Sequence, residues 1–283
     1  MLRAIHISVV AGAVGLSACA PSSDDIVDRA LADMNVIDEA NLNDVMLTVA
    51  DPAEAVSYFT RALSVDPARI DLERGLATSL IRAGRAAEGV AAWQAVLAHP
   101  EATSADRVEM AGAYIRADRW EDADAALDAI PPTYETYERY RLEAIVADSN
   151  EEWQKADSFY EIAVGLTTTP ANVMNNWGFS KLSRGDYKGA EKLFMEALQR
   201  DGTMFTAKNN LVLARAAQRN YELPIIQMSQ NERAELLYTM ALSAIKQGDV
   251  RTGRALLQNA VDTHPQHFEA AVNALAALDS QQG

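Results

Sequence analysis

Residues 172–202 read NVMNNWGFSKLSRGDYKGAEKLFMEALQRDG, and their pattern decides the fold. Trp177, Gly178 and Leu182 share one helical face ahead of a turn at Arg184-Gly185-Asp186. Beyond the turn Ala190, Phe194, Ala197 and Leu198 fall at spacings of four, three and one, the period of an amphipathic helix. Small residues at Gly178, Ala190 and Ala197 let two helix backbones approach, while Trp177 and Phe194 fill the space beside them. A single hairpin cannot bury its apolar face alone, so the reading demands copies.

The copies are in phase. The small residue of the first helix recurs at Ala77, Ala111, Ala144, Gly178 and Ala241, with Val212 between the last two, at gaps of 34, 33, 34, 34 and 29. The small residue of the second helix runs Ala55, Gly89, Ala123, Ala156, Ala190 and Gly253, with Pro224 in the slot before the last. Four positions on, a large residue runs Phe59, Trp93, Leu127, Tyr160, Phe194, Met228 and Leu257. This period and pattern resemble the tetratricopeptide repeat, a helix–turn–helix unit, and ALSVDP at Ala62–Pro67 and AVDTHP at Ala260–Pro265 resemble its usual exit. The resemblance implies an all-α fold: a right-handed superhelical solenoid of about six to seven hairpins plus a C-terminal capping helix at Gln266–Leu278, within a repeat domain at 36–280.

Composition agrees with a folded helical chain. Of 283 residues 49% are apolar, and the Gly and Pro content is too low for a disordered polymer. The formal charge is −15; without residues 1–18, which hold one Arg and no acid, 24 basic residues face 40 acidic ones, or −16. That balance disfavours nucleic acid and weakens attraction to anionic lipid.

The amino terminus suggests an address. Arg3 precedes an apolar run from Ala4 to Ala18, shorter than a spanning helix needs, which reads as a signal peptide at 1–18. Leu16-Ser17-Ala18-Cys19 resembles the bacterial lipobox, and Cys19 is the sole cysteine, unable to form an internal disulfide. The resemblance implies lipid attachment at Cys19, followed by a polar tether at 19–35. Several acyl chains make such an anchor stable. Ala20 stands where an inner-membrane retention signal would carry Asp, so the expected location is the periplasmic face of the bacterial outer membrane. An ordinary signal peptide with an incidental Cys19 is the alternative.

The register predicts a weak first helix at Glu39–Val49, then helices at Ala53–Val65, Asp71–Arg82, Ala86–Ala98, Ala105–Ala117, Trp120–Ile130, Tyr134–Asp148 and Glu152–Leu166. Glu232–Gln247 and Arg251–Thr263 form the last full pair. Tyr134, Tyr137 and Tyr140 read as core or groove wall, and the four Trp as packing residues. Tyr221–Asn231 breaks the register, because Pro224 falls where a second helix should be running and the next unit arrives five residues early. That helix should be shortened, displaced or replaced by an extended segment. Two readings follow: a deletion that changes superhelical pitch, or a partner-binding loop exposing Ile225, Ile226 and Met228.

Catalytic chemistry finds no footing. Phosphate loops, paired-cysteine metal sites and nucleophile elbows are absent from the sequence. His264 and His267 have metal-compatible spacing but no evident third ligand, and caps for a helix end explain them better. Glu121-Asp122 and Glu151-Glu152 read as solvated helix starts. The expectation is a non-enzyme with no catalytic residue, metal or cofactor.

What remains is protein binding. In the repeat family the first helices line a concave groove, and register carries that role to Arg74, Arg82, Arg116, Arg141, Asn172, Asn175, Phe179, Asn209 and Tyr238. Asn can bond both backbone donors and acceptors of an extended peptide, and Arg its carboxylates. Alternatively, several of these arginines only join one repeat to the next. A lipobox on a chain made of such repeats is similar to the outer-membrane lipoproteins of pilus and secretion machines. Within these the tight-adherence (Flp-type) pilus assembly group is nearest, on AVSYFTRALSVDP, LPIIQMSQNERAELLYTMALSAIKQGD and THPQHFEAA. That resemblance implies a scaffold for the secretin channel and pilus components, held to the membrane by lipid, with no nucleic acid bound. A pilotin-like or envelope-biogenesis adaptor, or a regulatory subunit of a periplasmic cell-wall enzyme, stays open. Lys208, Arg215 and Met174 depart from the pattern in packing slots.

Overall fold

The computed structural model describes residues 42–280. The signal at 1–18, Cys19, the tether at 19–35 and the start of the helix expected at Glu39–Val49 lie outside the described residues. Helical residues 42–48 form α1. They are followed by α2 (Pro52–Val65), α3 (Ile70–Arg82), α4 (Ala86–Ala98), α5 (Ser104–Arg116), α6 (Trp120–Asp128) and α7 (Tyr137–Ser149). The rest are α8 (Trp153–Gly165), α9 (Ala171–Ser183), α10 (Tyr187–Arg200), α11 (Phe205–Ala217), α12 (Gln230–Lys246), α13 (Val250–Thr263) and α14 (Glu269–Ser280). Pairs α1/α2 through α9/α10, then α12/α13, are antiparallel hairpins stacked in chain order, and α14 closes the far end.

Local chemistry sets the helix ends. Asp51 accepts the N–H groups of Ala53 and Glu54 with Pro52 as the first helical residue, and Asp186 and Asp249 cap α10 and α13 by accepting the Gly189 and Thr252 N–H groups. Each first helix from α3 to α12 stops at a residue in the left-handed region: Gly84, Asp118, Glu151, Gly185, Arg219 and Gly248. The N–H one residue later returns to a carbonyl five positions back, as in Arg85 to Leu80 (2.9 Å) and Asp186 to Lys181 (2.8 Å). Three of the six positions carry side chains, for which the left-handed backbone is strained.

The small and large slots meet as their spacing requires. Ala77, Ala111, Ala144, Gly178, Val212 and Ala241 are buried, as are Phe59, Trp93, Leu127, Tyr160, Phe194 and Leu257. Gly178 has no alternative, since a Cβ there would stand 2.6 Å from the Phe194 ring. Two helix starts move by three residues relative to expectation, and other boundaries by one or two. Helix α7 begins at Tyr137 rather than Tyr134, because Tyr134 closes a turn onto the Pro131 carbonyl and Thr136 supplies the cap. Helix α14 begins at Glu269, after the His264 ring has taken the Gln266 N–H. Ala271 and Leu278 of α14 are buried against the last core cluster, and Phe268, just ahead of it, packs on Tyr238 at 5.4 Å.

The sixth unit has a first helix, α11, and no second one: residues 220–229 are non-helical. Pro224 is buried, Tyr221, Leu223 and Met228 pack against the last core cluster, and Ile226 packs against the preceding one. Of the three residues named for an exposed loop, only Ile225 is fully exposed. The segment therefore seals a seam with its apolar side chains and projects one. The departures at Lys208 and Arg215 are resolved by ion pairs. Buried Lys208 reaches Glu232 at the start of α12 (2.8 Å), and Arg215 reaches Glu191 of α10 (3.1 Å).

Candidate protein-binding groove

First helices α3, α5, α7, α9, α11 and α12 follow one another along a single face, and three neighbouring cavities open between them. The front cavity, about 380 Å³, lies across α3, α5 and α7 and carries Arg82, Glu109, Arg116, Glu138 and Arg141 around Ile81, Ile115 and Ile145. Burial within the groove pushes the Glu109 carboxyl above its ordinary range, against the pull of Arg141 and Arg116, although the residue keeps an exposed surface.

The middle cavity is the largest, about 560 Å³, and shares Ile145 with the first. It opens between α7 and α9. Its walls are Trp120, Trp153 and Phe179, the last 56% exposed, with Asn175, Asn176 and Asn210 along one side. At its floor Asp148 accepts hydrogen bonds from the Ser180 hydroxyl (2.6 Å) and the Tyr160 phenol (2.8 Å). Burial pushes the Asp148 carboxyl up, and these two donors only partly offset it. Burial and the adjacent Asp148 push the Tyr160 phenol up in turn. Behind the wall, Asp157 gathers the Trp177 indole N–H (2.5 Å), Arg184 (2.5 Å) and Lys181 (3.4 Å), which fixes the second-helix side of the cavity. The rear cavity is aliphatic, with Leu182, Leu213 and Leu242 among its lining.

The residues expected in the groove divide. Arg116 and Arg141 line the front cavity, and Asn175 and Phe179 the middle one. Arg82 also lines the front, while donating to the Met46 and Ala50 carbonyls at the end of α1 (3.0 and 3.1 Å). Arg74 is taken up between repeats: it grips Asp106 of α5 through two bonds of 2.6 and 2.8 Å. Asn175 accepts from the Asn210 amide (3.1 Å) and Asn209 from the Thr239 hydroxyl (2.9 Å), so both also join neighbouring helices. Tyr238 packs into the last core cluster against Phe268, and Asn172 is exposed at the start of α9. Trp120 and Trp153, read from the sequence as packing residues, are half-buried walls of the middle cavity. The available signal was their place as first residues of α6 and α8, straight after a left-handed turn, where repeat packing does not need a large side chain. Asp148 gave no signal, since a lone acid near a helix end reads as solvated.

No group of three or more His, Cys, Asp or Glu able to hold a metal occurs among the described residues, and no helix among them is long and apolar enough to cross a membrane. The family model of the tetratricopeptide repeat matches residues 235–267, which run from within α12 through its turn and α13. The fold is a tetratricopeptide-repeat solenoid. Solved structures agree on architecture. A tetratricopeptide repeat protein from Parabacteroides merdae is similar with a TM-score of 0.54 and 13% identity, over 80% of this chain and 91% of that one. The C-terminal part of a TPR repeat-containing protein from Cytophaga hutchinsonii gives 0.53 and 16%, over 83% and 98%. The APC/C hetero-tetramer Cut9–Hcn1 gives 0.60 and 12%, and there the chain covers 83% of itself but only 47% of its counterpart. At these identities the likeness is one of fold. No curated protein matches the sequence. The tetratricopeptide-repeat fold generally serves protein–protein interaction.

Proposed function

We propose that the chain is a non-catalytic scaffold that holds extended segments of partner proteins along the face of its first helices. The observation that carries this reading is the run of three neighbouring cavities, charged, then aromatic, then mainly aliphatic, on one face of the stack. The lipobox at Cys19 supports attachment by lipid to the periplasmic face of the outer membrane, and mass spectrometry of the amino-terminal peptide tests it. An unacylated Cys19 in the mature protein would overturn that placement.

With the lipobox, the LPIIQMSQNERA segment supports a place beside TadD, the assembly lipoprotein of the tight-adherence pilus. The partners would then be the outer-membrane secretin and pilus assembly components. Photocrosslinking from position 179 in living cells tests both levels, because Phe179 stands exposed in the middle cavity. Adducts with secretin or pilus proteins are expected. Adducts confined to barrel-assembly or cell-wall enzymes would replace the pilus assignment with an adaptor role, and no adducts at all would overturn the groove.

A further inference from the structure

The middle cavity holds an unusual pairing of groups. Ile145, Trp120, Trp153 and Phe179 give it apolar and aromatic surface, neutral amides and hydroxyls line the rest, and the one charged group in its lining is the carboxylate of Asp148. Asp148 has two hydroxyl donors and, among the described residues, no ion-pair partner. Arg184, the nearby cation, is committed elsewhere: it bonds Asp157 at 2.5 Å and the Trp153 carbonyl at 3.3 Å, and its guanidinium lies over the Trp153 ring. Lys181 is divided between Asp157 and Asp186. The Ser180 and Tyr160 donors hold the carboxylate in one orientation without neutralising it.

An occupant must therefore answer a charge as well as fill a volume. An apolar side chain entering the cavity would strip remaining water from an unpaired carboxylate and raise the cost of its charge. A cationic side chain does the reverse: its stem covers apolar wall, its head pairs with the carboxylate, and aromatic faces attract it further. The neighbouring front cavity differs in carrying charges of both signs, Arg82, Arg116 and Arg141 with Glu109 and Glu138. A single peptide thus meets two different charge environments on either side of Ile145.

We propose that the cavity between α7 and α9 is a specificity pocket for a lysine or arginine side chain of the bound peptide, its stem against Ile145 and Phe179 and its cationic head on Asp148. This rests on the groove reading above and names the residue class that the groove selects. The test is selection of random displayed peptides on the full-length chain, followed by affinity measurement of the enriched sequence. A Lys or Arg fixed at one position is expected. Replacing it by norleucine should weaken binding roughly tenfold, the effect of losing one charge-assisted hydrogen bond. In Asp148→Asn the same replacement should have little effect, because the two changes remove one interaction. Phe179→Ala, at an exposed position, should weaken both peptides alike. A norleucine peptide that binds the native chain as tightly as the cationic one overturns the specificity pocket while leaving the groove intact. Failure of any peptide to enrich overturns the groove itself, and the pocket with it.

Discussion

In the front of the solenoid Arg74 of α3 grips Asp106 of α5 through two charge-assisted bonds, whereas further back Asn175 of α9 accepts a single amide bond from Asn210 of α11. Both contacts join neighbouring first helices, and the hairpins beneath share one register. The front seam is held by ions beside the charged cavity; the α9–α11 seam is held by neutral amides that line the aromatic middle cavity. One backbone plan thus supports two recognition chemistries, because the repeat fixes where helices touch and leaves open what their groove-side residues are.

The two carboxylates show the same division. Burial opposes the charge of Asp106, but Arg74 and the Thr103 N–H and hydroxyl outweigh it, so its pKa lies below the ordinary carboxylate value. Burial of Asp148 is opposed only by neutral hydroxyls and a committed Arg184, so its pKa lies above that value. The ionised form is favoured at Asp106 and disfavoured at Asp148.

The largest expected effect concerns what both regions share. Phe59→Ala and Phe194→Ala each remove a fully buried ring packed on a glycine, Gly75 and Gly178, and each should lower stability by about 4 kcal/mol. Urea unfolding checks this, and a large inequality would mean that the scaffold is not common to the two halves. Next comes Arg74→Ala, at about 2 kcal/mol, below the value for a fully buried pair because Arg74 is 34% exposed and Thr103 still holds Asp106. Asn175→Ala, losing one neutral bond, should cost about 1 kcal/mol. Equal losses at these two positions would erase the distinction between the seams.

The pH dependence sharpens it. The folded pKa of Asp106 is depressed, so its contribution is complete above the unfolded carboxylate value, about 4, and is lost as pH falls through the folded value. Arg74→Ala should shrink that acid limb. The folded pKa of Asp148 is raised, so its contribution is complete below about 4 and is lost as pH climbs through the folded value. Asp148→Asn should therefore gain stability relative to the native chain between pH 4 and neutrality, as roughly read from the ordinary carboxylate value. Urea midpoints measured across pH test both limbs, and a native-like pH profile in either variant would refute its assignment. The smallest effect is a gain: Glu151→Gly, which relieves a side chain held at φ 59° but loosens the unfolded chain, should add about 0.5 kcal/mol.

Much of the stack was legible because its determinants are local. Period, small-residue slots and the proline at 224 are each properties of a few neighbouring residues, and each places a helix, a close approach or a break without reference to distant chain. The groove was legible only as a face. Arg74, Arg82, Asn175 and Asn209 stand on first helices as register requires, but whether such a side chain meets a partner or a neighbouring helix depends on residues 30 to 36 positions away.

From its sequence alone this protein is a ladder of helical hairpins whose register breaks at Tyr221–Asn231, since helical periodicity and glycine-sized contacts are written into consecutive residues. Only the tertiary structure decided that Trp120 and Trp153 wall a cavity, that residues 220–229 fold their apolar side chains into a seam, and that Asp148 lies unpaired at a pocket floor. The physical reason is range. Helix formation and close packing of a hairpin are settled within one repeat, whereas desolvation and charge pairing in the groove depend on side chains from three repeats at once.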